Sequence, residues 1–491
     1  MPSLPIAPHT HAPANVTLVN LNLVRVPAIA PYALDVLGTS LEDAGHSVQI
    51  LDLTRTDAPF QAIAVHFALD EPDVVALTMR NNFDIYFPSY GNVEADGSFL
   101  SSHARVIEKI AEYVPRERIV IGGVGFSTAP HALLERFNLG VGVRGPGDEV
   151  LSDIASAMVA GVALDSLPYP KEIRGKRIVF DGRKAPIQRR VRRTYVDNKW
   201  YYEYGGLGNI RTSNGCSMRC SYCAEPYAKN AAFTKGAIDD AIFELDQLVE
   251  MGIFDVQTAD SEFNMPFNHS KAVLRAMIER GYPRELRLWA YGQPSPWDTE
   301  YAGLLAKAGV PGVNLGTDHT DPEMLEALHK WFGPDDIVKT TRLCHDNGIA
   351  VMHELLFGYP GDTPDKMFRA IEFLLKLEPR VIGVTIGMGV LEGTPLGDSL
   401  QQRIARGADL SGFYFKGQPF VDPTYYVDPS FEIPEIYEQL NRFVGTELHR
   451  VMIPKWGQSG DSDNQLVNSK RVAAQLLEQK KKGAYWFHYG S

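Results

Sequence analysis

Cys216-Ser217-Met218-Arg219-Cys220-Ser221-Tyr222-Cys223 is the stretch that decides how the rest of the chain is read. Three of the four cysteines in 491 residues fall within these eight positions, spaced C-x3-C-x2-C. A structural zinc ion closes its site with four ligands, and an iron–sulfur cluster saturated by protein takes four thiolates. The fourth cysteine, Cys344, lies more than a hundred residues downstream. Three thiolates on a [4Fe–4S] cluster leave one iron open to a small molecule. Two other readings are a zinc knuckle completed by a distant histidine and three unrelated thiols; the ligand count favours neither. Cys216, Cys220 and Cys223 are therefore the candidate metal ligands, because thiolates are soft donors suited to iron and sulfide.

The composition around this motif narrows the class. With 44% hydrophobic residues the chain can bury real cores, and its length suggests two to three domains at ~100–200 residues each. A net charge of −12 argues against a general nucleic-acid binder. Four cysteines, three of them clustered, make no disulfide framework, so a reducing cytoplasm is expected. No apolar run approaches the ~20 residues that span a bilayer, so no membrane partner is expected. Residues 1–14 are rich in Pro and His without the basic-then-apolar layout of a signal peptide, and are expected to form a disordered tail.

Upstream of the cysteines, residues 15–161 alternate short apolar runs with helical periodicity, the pattern of a doubly wound parallel sheet. The expected strands are Val16–Asn20, Val48–Leu53, Val74–Thr78, Ile119–Ile121 and Val141–Arg144. Ligands of such sheets bind beyond the carboxyl ends of the strands. That places candidate contacts in Leu21–Pro31, Met79–Asp84, Gly122–Pro130 and Gly145–Glu149. Gly122-x-x-Gly125 follows the fourth strand, not the first, so it is no nicotinamide fingerprint. Tyr86, Phe87 and Tyr90 lie in a loop long enough to act as a lid. Residues 162–208 read as an interdomain linker, basic from Lys171 to Arg193 and then aromatic.

Downstream, residues 209–400 repeat a βα rhythm six times, and chemistry in such barrels gathers at the carboxyl ends of strands. Those ends carry Asp260-Ser261-Glu262-Phe263-Asn264, Gln293, Asp318, Gly358-Tyr359-Pro360-Gly361-Asp362-Thr363 and Gly393-Thr394-Pro395-Leu396. His353-Glu354 lacks the second histidine of a zincin and reads as a satisfied polar pair, and Cys344 as a packed thiol. Residues 401–491 are expected to cap the barrel mouth and carry substrate contacts.

This succession of motifs resembles the cobalamin-dependent radical S-adenosylmethionine (radical SAM) enzymes. The resemblance runs from about Asn15 to Leu400. It rests on the cysteine trio with aromatic Tyr222 before the third cysteine. It rests also on Gly122-Gly123 after the fourth strand, Arg144-Gly145-Pro146-Gly147-Asp148-Glu149 after the fifth, and the barrel segments just quoted. It implies an α/β chain with an N-terminal Rossmann-like cobalamin-binding domain, a partial (βα)6 barrel and a mixed C-terminal cap. It implies three cofactors: a [4Fe–4S] cluster, SAM and cobalamin. SAM would meet Tyr222 near its adenine, Asp260 or Glu262, Gln293, and Asp318 at the ribose. Cobalamin would meet Asn81, Gly122, Gly123, Gly125, Gly145, Gly147 and Glu149. Arg80 would face the corrin near the lower side of cobalt, or else pair with a neighbouring loop. The D-x-H-x-x-G motif is absent, so no histidine is expected on cobalt.

The activity implied is methylation of an unactivated carbon of a small metabolite or natural-product intermediate, by way of methylcobalamin and a 5′-deoxyadenosyl radical. An electron donor such as flavodoxin or ferredoxin would be needed. A cyclase or rearrangement enzyme of the same family is the alternative, and a cobalamin or iron–sulfur sensor is the alternative outside catalysis. A tRNA methylthiotransferase would need a second cysteine trio and a basic tail, which the sequence lacks.

Overall fold

A computed structural model describes residues 12–26, 28–80, 99–184, 190–415, 417–453 and 467–490. Asn81 and the loop with Tyr86, Phe87 and Tyr90 lie outside the described residues, as does most of the expected N-terminal tail. The chain divides into two compact units.

The first unit is built on β1 (Asn15–Asn20), β2 (Ser47–Asp52), β3 (Val74–Thr78), β4 (Ile119–Gly122), β5 (Val141–Arg144), β6 (Lys171–Arg174) and β7 (Arg177–Asp181). Among the described residues these form one sheet in the order β2-β1-β3-β4-β5-β7-β6, parallel except for the β6–β7 hairpin. The doubly wound pattern is therefore present, with all five expected strands in it. β3 is buried at every position, as a strand covered on both faces must be.

The expected linker over 162–208 is corrected. Its first part supplies β6 and β7, and the compact unit runs on to Val196. Basic residues there are not all solvated. The Arg193 and Asp35 side chains are fully buried and paired, Arg193 Nε lying 3.0 Å from Asp35 Oδ2. Asp35 also accepts hydrogen bonds from the backbone N–H groups of Tyr195 and Val196. A side chain at Gly38 would meet the Tyr195 ring at 2.6 Å, so glycine lets this strut lie against the helix Tyr32–Asp43.

The second unit carries β8 (Gly208–Ile210), β9 (Ser213–Asn214), β10 (Thr234–Lys235), β11 (Asp255–Thr258), β12 (Arg287–Gly292), β13 (Gly312–Asp318), β14 (Ala350–Phe357), β15 (Val381–Ile386), β16 (Met388–Gly389), β17 (Phe413–Phe415), β18 (Thr424–Tyr426) and β19 (Val451–Met452). Strands β8, β11, β12, β13, β14 and β15 pair in chain order and in parallel, the six-unit open barrel expected. β19 adds a seventh parallel strand beside β15. The outer faces pack under helices: Val256, Leu288 and Val313 join Leu245 and Leu248 of Ile238–Glu250 and Val273 and Leu274 of Phe267–Arg280.

The expectation for the C-terminal region is corrected in part. Trp486 packs with Trp289, Met352, Val381 and Met452, and a Cβ on Gly312 would meet its ring at 2.6 Å. Gly312 and Val381 open β13 and β15, so this segment closes the floor of the barrel, opposite the strand ends that carry the cysteine loop. On the mouth side stands the three-stranded sheet β16-β18-β17, where Tyr426 packs in one cluster with Tyr222 and Tyr359.

Candidate active site

The cysteine loop leaves the barrel at β8 and is gripped at its base by the antiparallel pair β9–β10. Gly215 takes a φ of +83°, and a Cβ there would strike Ala232 O at 2.4 Å, so the turn into Cys216 requires glycine. Cys216 N–H then donates to Asn230 O, and Ser221 N–H to Leu328 O, which fixes the loop at both ends. Cys216 and Cys220 are buried and Cys223 is partly so.

Burial pushes the Cys216 thiol up to about 12, helped by Glu262, Cys220 and Glu225. Burial first, then Glu225 and the other two thiols, pushes Cys223 well up. The three sulfurs thus repel one another as thiolates, and a cationic iron centre would relieve that repulsion. Among the described residues no three such side chains converge on one point as a single ion needs; in a cubane each thiolate binds its own iron. The donor set fits a three-thiolate [4Fe–4S] cluster.

Tyr222 is locked. Its hydroxyl donates to Asp318 Oδ2, and the same oxygen lies 2.6 Å from Lys330 Nζ, with both side chains nearly buried. Lys330 Nζ also stands 5.7 Å from the Tyr222 ring centre. Burial opposes the charge on Lys330, but Asp318 and Cys220 overcome it and its pKa is raised. Lys330 was not legible as a site residue: it sits in an irregular loop twelve positions past Asp318. Asp318 holds a φ of +58°, a strained setting for a residue that is not glycine, maintained by this packing.

Glu262 and Gln293 meet behind the thiols. Gln293 Nε2 donates to Glu262 Oε1 at 3.0 Å, and Gln293 Oε1 accepts from Trp331 Nε1 at 2.8 Å. Asn264 holds the Gln293 backbone by two further bonds. Glu262 Oε2 is buried without a partner among the described residues. Burial raises the Glu262 carboxyl to about 8, against the pull of Gln293 and Lys330. An orphaned carboxylate oxygen beside the thiols fits a cationic ligand such as SAM. Asp260 behaves differently: both its oxygens are taken up by Thr212 N–H, Thr212 Oγ1 and Ser213 N–H. Of the two alternatives after β11, Glu262 has a free acceptor and Asp260 is a structural tie.

His353 sits between the Thr317 and Thr341 hydroxyls, at 2.7 and 3.0 Å, and burial pushes its pKa down to about 3. Cys344 is fully buried in the helix-side core.

In the first unit the glycine loops stand where the sheet pattern puts them. Gly123 has a φ of +100°, and a Cβ would overlap Met79 O at 2.4 Å. Gly125 N–H donates to Met79 O, so the β4 turn is clamped onto the residue before Arg80. Ser127 Oγ donates to Gly123 O and accepts from Gly145 N–H, joining the two loops. Gly145 is also left-handed, at +80°. Gly147 has only loose neighbours, while Arg80, Val124 and Glu149 are exposed. Closely spaced backbone turns with an exposed apolar Val124 fit a large flat ligand over β3–β5.

A doubly wound sheet with these loops and a (βα)6 barrel with a three-thiolate loop define a radical SAM protein with a cobalamin domain. The chain matches the B12 binding domain over residues 21–155 and the Radical SAM superfamily over residues 210–374. It is 32% identical to the Tryptophan 2-C-methyltransferase of Streptomyces laurentii, over 96% of this chain and 95% of that one. The radical S-adenosylmethionine methyltransferase TsrM of Kitasatospora setae, solved with tryptophan substrate and the SAM analogue aza-SAM bound, superposes with a TM-score of 0.87 at 32% identity, covering 97% of each chain. The cobalamin-dependent S-adenosylmethionine radical enzyme OxsB shares the fold at a TM-score of 0.67 and 14% identity, over 95% of this chain and 71% of that one. The chain belongs to the cobalamin-dependent radical SAM enzymes. It is a C-methyltransferase whose cofactors are a [4Fe–4S] cluster, SAM and cobalamin. No helix among the described residues is long and apolar enough to cross a membrane.

Proposed function

We propose that this enzyme methylates a ring carbon of tryptophan or of a closely related indole. The observation that carries the reading is the end-to-end match to tryptophan methyltransferases, 32% identical across both domains and the C-terminal region. When bound, the cluster, SAM and cobalamin together supply the methyl group and the electron needed to keep cobalt active. The chain's own work is placement and exclusion. Cys216, Cys220 and Cys223 hold the cluster. Tyr222, pinned by Asp318 and Lys330, gives SAM a flat surface, and Gln293 and the open oxygen of Glu262 give it polar contacts. Burial outweighs the pull of Lys330, so Glu262 keeps its proton near neutral pH and gives it up as a second cation arrives beside it.

On the other cofactor, Arg80 would face the corrin, with Gly122, Gly123, Gly125, Gly145 and Gly147 letting backbone approach it and Glu149 at its rim. Buried thiols of this kind suit a reducing cytoplasm and a small electron donor such as flavodoxin or ferredoxin. An indole ring carbon is an electron-rich sp² centre, so it can accept a methyl group by a polar route as well as a radical one. Anaerobic turnover with tryptophan tests the reading. A product one methylene heavier, with S-adenosylhomocysteine formed alongside, supports it, and 5′-deoxyadenosine reports the radical route separately. No methylated indole from fully loaded enzyme refutes it.

A further inference from the structure

The inner face of the barrel contains a polar recess that the cofactor assignments leave unused. Val256 of β11 points into the helix-side core, so Gln257 points the other way, and it is exposed although both neighbouring strands are paired to β11. The inner face is therefore accessible beyond the Trp486–Met352 floor, where Tyr291, Asn314 and Glu354 are themselves only partly buried. There Asn314 Nδ2 donates to Glu354 Oε1 at 2.9 Å. Asn314 Oδ1 is buried with no partner among the described residues.

Glu354 stands between two strands that carry glycine at its level. Gly383 is its register partner on β15, and a Cβ on Gly316 of β13 would strike Tyr291 Oη at 2.4 Å. The space over Gly383 is taken by the Met352 methyl, 2.7 Å from where a Cβ would stand, and the space over Gly316 by the Tyr291 hydroxyl, which is thereby brought near Glu354. Among the described residues no lysine or arginine pairs with Glu354; Lys330, the cation nearby, is held by Asp318. Burial, with Asp318 adding to it, raises the Glu354 carboxyl, and the Asn314 hydrogen bond opposes the rise. Asn314 Oδ1 has no donor among the described residues, Glu354 has the Asn314 amide on one oxygen but no cation, and the Tyr291 hydroxyl can accept as well as donate, so the recess is lined by three oxygens, one of them carboxylate. A primary ammonium offers three donors and one positive charge, which matches that set.

We propose that Glu354, Asn314 and Tyr291 form the subsite for a primary ammonium group, either the α-ammonium of an amino-acid substrate or that of the methionyl end of SAM. The substrate arm rests on the tryptophan reading above; the SAM arm does not.

The test compares wild type with Glu354→Gln, both loaded with cluster and cobalamin, by anaerobic calorimetric binding. The probes are L-tryptophan and indole-3-propionate, which lacks the ammonium, and S-adenosylhomocysteine and 5′-methylthioadenosine, which lacks the methionyl end. Loss of a charge-assisted bond in a buried site weakens binding about tenfold or more. The proposal expects that loss for one ammonium probe, with its ammonium-free counterpart unchanged. Loss for tryptophan assigns the subsite to substrate, and loss for S-adenosylhomocysteine assigns it to SAM. Unchanged binding of both ammonium probes overturns the proposal, as does equal weakening of the ammonium-free analogues. Asn314→Ser, which keeps the carboxylate, serves if Glu354→Gln does not load, with a smaller loss of the same pattern expected and no loss overturning it. If wild type fails to bind tryptophan at all, the indole reading falls and S-adenosylhomocysteine alone decides the subsite.

Discussion

Lys330→Met should damage this protein far more than the loss of one surface lysine. Its side chain is 3% exposed and that of its partner Asp318 is 7% exposed, with 2.6 Å between Nζ and Oδ2. Removing one member of such a pair strands a buried charge, at a cost of about 3–5 kcal/mol, against about 0–1 kcal/mol for a solvated pair. Here the stranded group is Asp318, left among the described residues with the Tyr222 hydroxyl. Asp318→Asn strands the ammonium instead and should cost a similar amount. In the double variant Lys330→Met/Asp318→Asn neither charge remains, so the combined loss should fall short of the sum by about 1–3 kcal/mol. Urea unfolding of cluster-free protein, followed by far-ultraviolet circular dichroism and tryptophan fluorescence, measures all three, with coincidence of the two probes as the condition for comparing free energies. A loss under about 1 kcal/mol for Lys330→Met, or strict additivity in the double variant, would refute the reasoning that this pair is a desolvated lock on Tyr222.

Cys216→Ala, Cys220→Ala and Cys223→Ala should each lose the complement of about four irons after anaerobic reconstitution, while Cys344→Ala keeps it; iron and sulfide analysis decides. Arg80→Ala should lower the cob(II)alamin/cob(I)alamin potential, because a fixed positive charge favours the electron-rich state, and potentiometry on protein with normal cluster content reads the shift. For Glu262, a folded pKa of about 8 lies above the ordinary carboxylate value of about 4.3. Ionisation is therefore penalised in the fold, and cluster-free wild type should lose stability relative to Glu262→Gln as pH rises from about 4.3 toward 8; parallel unfolding curves for the two proteins across that window would count against it.

The cysteine trio and the βα rhythm were readable because both are local: one is a spacing within eight residues, the other a periodicity that each unit repeats to bury its own helix. What escaped were features made by distant partners. β7 has only Ile178, Val179 and Phe180 to announce it inside a basic stretch, and it becomes a strand because β5 offers a free edge. Position alone made Asp260 and Glu262 equal candidates. The difference between them lies in the Thr212 and Ser213 donors that occupy one and not the other. Lys330 and the Glu354–Asn314 pair carry no motif, since their meaning comes from strands that stand beside them only in the folded barrel.

The floor of the barrel also sets an order of events during synthesis. The six strands of the βα repeat are complete at Ile386, yet β19 forms at Val451–Met452 and Trp486 comes later still. A nascent chain emerging from the ribosome therefore holds the whole cysteine loop while Trp289, Met352 and Val381 remain uncovered at the opposite end. Proteolytic trimming of the last residues would return the molecule to that half-closed state without touching Cys216, Cys220 or Cys223.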